Sequence, residues 1–275
     1  MTCRTAITSQ GIVTVEAPPD SMAFRKNTIG LLVVGHGTRH DQGKQDFWTT
    51  VGHVAEELPN TVVEGCFLEA GTPDIPTALH AMARRELSEV VLAPLLLFSA
   101  GHAQRDIPAA ALQAAADARL TVRQADVLGC HPQILALSAA RFRSAVGAPY
   151  APEEVLWLFV GRGSSDAAAT AEMDRFAAGR LALTPVSRAV VAFLAMAEPR
   201  VEAVVPQIAT MDVPTVVVQP HLLYPGTLLS RLRRIVAVQD RNPRRQHWIL
   251  ADCLGCDRVM ARVVAERFRE ATAVG

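Results

Sequence analysis

The sequence predicts an α/β protein made of two similar lobes, each a parallel sheet flanked by helices, arising from an internal repeat. Three observations carry that prediction. Apolar, β-rich runs alternate with helical patterns along the whole chain. The pattern then recurs: Leu31-Leu32-Val33-Val34-Gly35-His36-Gly37-Thr38 matches Leu156-Trp157-Leu158-Phe159-Val160-Gly161-Arg162-Gly163-Ser164, and three further matches follow in the same order. Finally, the stretch 145–153 carries Gly147, Pro149 and Pro152, a natural break between the copies.

The elements follow in order. Residues 1–27 mix Thr, Ser, Pro and charge without the apolar core of a secretory signal, and read as a flexible extension in which Met22 is a candidate start. The first lobe is expected over 28–147. It opens on the strand Leu31–Val34, and Phe47, Val51, Val54 and Leu58 then stripe one helix face between Asp41 and Pro59. Strands Val62–Leu68 and Val90–Phe98 come next, then an Ala-rich helix from Asp106 to Arg119 whose Pro108 fits a first turn. The second lobe is expected over 153–275. Its Ala192–Ala195 matches Cys66–Glu69, its Val216–Tyr224 matches Val90–Phe98, and Ala251–Asp257 matches Ala125–His131. Val259, Val263, Val264 and Phe268 stripe its last helix.

A chain of 275 residues has ample material for two cores. Lys plus Arg and Asp plus Glu each number 27, so bulk charge gives no case for nucleic acid. No apolar run approaches the roughly 18 residues of a membrane-spanning helix. Five cysteines are an odd number at low density, consistent with a reducing, cytoplasmic setting.

Chemistry concentrates at three strand ends. His36, Glu69 and His102 each follow an apolar strand, at equal spacing (69 − 36 = 33 and 102 − 69 = 33). In an open parallel sheet such ends converge on the carboxyl-edge crevice. Two imidazoles and a carboxylate there make a half-open site for a divalent transition metal. A lone histidine after a strand is ordinarily a loop residue, but the second copy has Arg162, Ala195 and Leu228 at the three positions. Joint loss from a repeat that keeps the scaffold marks the set as functional. Non-haem iron oxygenases also use two histidines and a carboxylate, but on all-β scaffolds with a close His-x-Asp/Glu pair, which this chain lacks.

Other motifs carry less. Cys253-Leu254-Gly255-Cys256 is a lone C-x-x-C whose Leu-Gly-Cys recurs at Cys130, so it reads as a turn common to both copies. Gly161-Arg162-Gly163-Ser164 lacks a phosphate-loop lysine, which leaves Arg162 as an anion-binding candidate. His40 and His131 flank loops near strand ends, His53, His80 and His247 read as solvated, and His221 reads as a core or inter-lobe histidine.

The motifs Leu-Leu-Val-Val-Gly-His36-Gly-Thr-Arg, Phe67-Leu68-Glu69, Pro94–His102 and Asp106-Ile107-Pro108 resemble the class II tetrapyrrole chelatases. The two-lobe sirohydrochlorin ferrochelatases and cobaltochelatases are the members most similar, over about residues 30–272. The resemblance implies ATP-independent insertion of Fe²⁺ or Co²⁺ into sirohydrochlorin, in siroheme or cobalamin biosynthesis. His36 and His102 match the family's metal-site histidines, and Glu69 its acidic residue. All three would then serve as metal ligands and catalytic groups. Sirohydrochlorin is rich in carboxylates, so Arg39, Lys44, Arg105 and Arg162 are candidates to hold its rim. The implied partners are sirohydrochlorin and the metal, with no cofactor beyond that metal and no membrane or nucleic acid. A monomer or homodimer is expected. The alternative is a non-catalytic carrier of tetrapyrrole or metal on the same scaffold.

Overall fold

A computed structural model of the chain describes residues 5–7, 13–15, 29–99, 101–147, 149–241 and 246–273, without the side chains of 5–7, 13–15 and His102. The chain divides into two compact units, one of residues 1–129 with 257–275 and one of residues 130–256.

In the first unit, strands β3 (Ile29–Gly35), β4 (Val63–Phe67), β5 (Glu89–Leu95) and β6 (Thr121–Gln124) form a parallel sheet in the order β4-β3-β5-β6. Helices α1 (Asp41–Glu57), α2 (Ile75–Ala83) and α3 (Ile107–Ala118) make the crossovers. The two central strands are buried throughout, apart from Ile29 at the edge, as a sheet covered on both faces requires. Leu32, Val34, Val90 and Leu92 share a core with Ile75, Leu79, Ile107 and Ala111 of α2 and α3. The alternate residues Leu31, Val33, Val91 and Ala93 point to the opposite face, where α1 lies. Phe47, Val51, Val54 and Leu58 are all buried, as the stripe predicts. Pro94 lies past the last β5–β6 pair, at Leu92 and Gln124, so its missing N–H costs no ladder bond there.

The second unit repeats this plan with β7 (Val155–Gly161), β8 (Arg188–Phe193), β9 (Thr215–His221) and β10 (His247–Leu250) in the order β8-β7-β9-β10, all parallel. Its helices are α5 (Ala167–Leu181), α6 (Val201–Ile208) and α7 (Thr227–Asp240). In both sheets the strand order reverses between the first and third strands, the switch point where open α/β sheets bind ligands.

Two features depart from the expected lobes 28–147 and 153–275. The fourth helix of each repeat completes the other unit. Helix α4 (Pro132–Val146) packs on α5 and β9, while α8 (Arg258–Ala273) packs on α1 and β5. The same pair of arginines fastens each exchange. Arg141 donates to Cys253 O (3.2 Å) and Arg143 to Leu183 O (3.3 Å), while Arg267 donates to Val127 O (3.2 Å) and Arg269 to Glu57 O (3.3 Å). Hydrophobic periodicity shows that a helix follows the fourth strand but not which sheet it covers. The second departure is at the N-terminus. Strands β1 (Thr5–Ile7) and β2 (Val13–Val15) pair antiparallel, and Val15 pairs with Val122 of β6. Part of the segment expected to be flexible therefore extends the sheet, with Thr, Ile and Val as its β-formers; the rest of 1–27 lies outside the described residues.

Among the described residues no helix is long and apolar enough to cross a membrane.

Candidate metal centre

The loops after β3 and β4 are joined by backbone. Leu68 N donates to Gly35 O (2.8 Å) and Glu69 N to His36 O (3.0 Å), carrying the ladder one step past the strands. Gly37 follows with a φ of 97°, in the left-handed region, and a Cβ built there would lie 1.6 Å from Glu69 O. Only glycine meets both demands. The sequence thus forces His36 and Glu69 into adjacent loops, with His36 half-buried and Glu69 exposed.

His102 arrives from the other side of the switch point, beyond β5. It begins a single π-helical turn, His102–Asp106, that runs directly into α3. Turns of this type recur at functional sites. Sequence reading started the helix at Asp106 and missed this turn, because apolar periodicity does not separate i→i+5 from i→i+4 bonding over five residues. The turn is anchored from below: Ala103 is buried, and Gln124 Nε2 donates to its carbonyl (2.8 Å). The Arg105 guanidinium folds back on Gly101, where a Cβ would come within 2.6 Å of it. Gln124 positions this turn and was not found from the sequence, where it ends a short mixed strand, Thr-Val-Arg-Gln, with nothing to single it out.

The structure therefore brings the His36 and Glu69 loops into contact and sets the His102 turn on the neighbouring central strand. Among the described residues no group of three His, Cys, Asp or Glu side chains stands close enough to hold a metal ion; the His102 side chain is not among them. Arg39 is exposed in the His36 loop, and Lys44 lies one turn into α1, 3.8 Å from Asp41. Arg105 adjoins His102, whereas Arg162 belongs to the second unit.

That unit reproduces the backbone without the two histidines and the carboxylate. Gly163 has a φ of 89° and would place a Cβ 1.8 Å from Ala195 O, while Ala195 N donates to Arg162 O (2.7 Å). Every such feature recurs at one offset of 126 residues (163 − 37). The scaffold is common to both units, and the two histidines and the carboxylate occur only in the first. Gly37→Ala and Gly163→Ala should cost about 1–2 kcal/mol each from the left-handed backbone alone. Thermal melts would check this, and Co²⁺ titration should show weakened metal binding in the first variant only.

The remaining motifs have structural roles. His131 caps α4 by accepting from Gln133 N (3.3 Å). Leu128 N bonds Leu96 O (3.0 Å) and Leu254 N bonds Leu222 O (3.1 Å), with Gly129 and Gly255 both at positive φ, so Leu-Gly-Cys is a turn in both units. His221 is a core residue, 3% exposed, against the rings of Phe159 and Phe176. Burial pushes its imidazole down to about 3. The unfolded chain, with a histidine near 6.5, then binds the extra proton between those values, so stability falls as pH drops below about 6.5. Between pH 6.5 and 5 the loss is about 2 kcal/mol. Urea midpoints should show this slope in the native protein and not in His221→Leu, leucine being what Leu95 supplies at the equivalent position.

Two doubly wound parallel sheets with chemistry-bearing carboxyl-edge loops define a two-lobe α/β chelatase fold. SirB from Bacillus subtilis with Fe³⁺ superposes with a TM-score of 0.79 over 90% of this chain and 96% of its own, at 24% identity. The sirohydrochlorin chelatase SirB of B. subtilis subspecies spizizenii in complex with cobalt gives 0.76 over the same shares, at 21% identity. The CbiX family model matches twice, at residues 30–145 and 156–271, and the chain belongs to that family. Sirohydrochlorin ferrochelatase of B. subtilis (strain 168) is 25% identical over 88% of this chain and 92% of its own length. Sirohydrochlorin cobaltochelatase of Priestia megaterium is 25% identical over 87% and 79%.

Proposed function

We propose that this protein inserts a divalent metal into sirohydrochlorin without ATP, at one centre per chain formed by His36, Glu69 and His102. One observation carries the reading: two units share a backbone down to the glycine that seats each edge loop, yet only the first has imidazoles and a carboxylate there. Relatives named for ferrochelatase and cobaltochelatase activity support the substrate class. Fe²⁺ is taken as the favoured metal and Co²⁺ as the alternative, since relatives named for each activity match most of this chain.

The chemistry needs little machinery. Two pyrrole N–H protons leave as one M²⁺ enters, so charge balances at the macrocycle. Neutral imidazole, with an unperturbed pKa near 6.5, binds a metal or takes a proton at cytoplasmic pH. His36 and His102 receive the metal, and one of them accepts a pyrrole proton. Glu69 serves as third ligand or second base, its exposure leaving it open to water for proton release. Three ligands leave positions free for the pyrrole nitrogens, whereas a closed four-ligand site would retain the ion. Arg39 on the His36 loop, Lys44 in the first turn of α1 and Arg105 on the π-helical turn pair with carboxylates of the substrate. Affinity alone would favour Cu²⁺ or Ni²⁺ over Fe²⁺, so supply in the cell contributes to the choice.

Anaerobic kcat/KM values for Fe²⁺, Co²⁺ and Ni²⁺ with sirohydrochlorin test this, with Fe²⁺ expected to be fastest. Rates equal to those of protein-free solution for all three metals would overturn it.

A further inference from the structure

The π-helical turn His102–Asp106 has no counterpart in the second unit. The equivalent residues, 228–232, lie inside α7, which is α-helical from Thr227 onward. The cause is local. A π-helix bonds each carbonyl to the N–H five residues on, so in that register Ala103 O calls for the N–H of residue 108. That residue is Pro108, which has none. A donor comes from outside the helix instead: Gln124 Nε2, at the end of β6, donates to Ala103 O at 2.8 Å. The amide faces only one way, since its own oxygen would repel that carbonyl.

Pro108 and Gln124 thus act on a single carbonyl, and the second unit has neither. Arg234 and Leu250 stand at their positions, and Leu229 at that of Ala103. Packing alone does not account for Gln124. Its Oε1 is buried and finds no donor among the described residues, a state that costs stability. Leucine would remove that cost, as Leu250 does where it packs against the apolar core of its own unit. A buried polar group left half-satisfied calls for a reason outside the core.

We propose that Gln124 and Pro108 are positioning residues of the metal centre. Pro108 withdraws the helical donor from Ala103 O, Gln124 replaces it, and together they hold the turn that begins at His102 in its π form. Without them, residues 102–106 would settle into the α-helical register that the second unit shows. Successive helix positions are about 100° apart, so a slip of one residue would point whatever the turn presents in another direction. The assignment rests on the reading of His102 as a metal ligand, and adds the residues that set that ligand's place.

The test compares the parent with Gln124→Leu and with Gln124→Leu combined with Pro108→Ala, in Co²⁺ titration, sirohydrochlorin turnover and thermal melting. Gln124→Leu should weaken Co²⁺ binding about tenfold and lower kcat at least tenfold. Its KM for sirohydrochlorin should stay within twofold, and its Tm should equal or exceed the parent's. In the double variant residue 108 again supplies an N–H, and Co²⁺ affinity should return to within threefold of the parent. A merely structural Gln124 would instead lower Tm and gain nothing from the change at 108. Gln124→Met, close to glutamine in size but without a donor, should show the same losses and carries the test if the leucine variant does not fold. Co²⁺ affinity and kcat within twofold of the parent in these single variants would overturn the proposal, as would a double variant no better than Gln124→Leu. A parent that neither binds Co²⁺ nor metallates sirohydrochlorin would overturn the metal centre itself, and this assignment with it.

Discussion

Replacing His36 or His102 with alanine should lower kcat/KM for metal insertion by about 10²–10⁴-fold, the usual cost of losing a positioned acid–base group, with a further loss from weakened metal capture. The fold should survive in His36→Ala. The loop is set by backbone bonds from Leu68 and Glu69 and by Gly37, none of which involves the imidazole. A melting temperature close to the parent's alongside abolished turnover would separate chemistry from stability. Glu69→Gln should cost less, about tenfold, because an exposed carboxylate shares its work with water. Parent-like turnover in His36→Ala or His102→Ala would remove the proposed centre.

Deleting residues 257–275 should unfold the first unit, although the deleted helix belongs to the second repeat. Met260, Val263, Val264 and Phe268 of α8 are buried in that unit's core, and each contributes about 1.5–3 kcal/mol by burial. Their sum is comparable to the whole stability of a typical domain, roughly 5–15 kcal/mol. The loss also removes the Arg267 and Arg269 bonds and the Arg258–Glu56 ion pair at 2.7 Å. Circular dichroism and urea titration should show one cooperative transition lost, together with all metal insertion. If each repeat instead formed its own lobe, this truncation would damage the second unit and spare the metal centre.

Much of this architecture was legible in the sequence. Apolar strands bounded by glycine, the stripe from Phe47 to Leu58 and the four ordered matches define two parallel-sheet units, and His36 and Glu69 do meet at one sheet edge. The helix exchange was not legible, because α4 and α8 present the same amphipathic pattern to whichever sheet they cover. The arginines that fix the exchange read as ordinary surface charges, since their acceptors are main-chain carbonyls 112 residues away for Arg141 and 140 for Arg267.

Catalysis of metal insertion and mere carriage of metal or tetrapyrrole differ in stoichiometry. Visible absorbance of sirohydrochlorin with Fe²⁺ or Co²⁺ and a small molar fraction of protein separates them. A catalyst converts many equivalents of substrate per chain at a rate proportional to protein, and that is the expected result. A spectral change that stops at one equivalent per chain would overturn catalysis and identify a carrier instead.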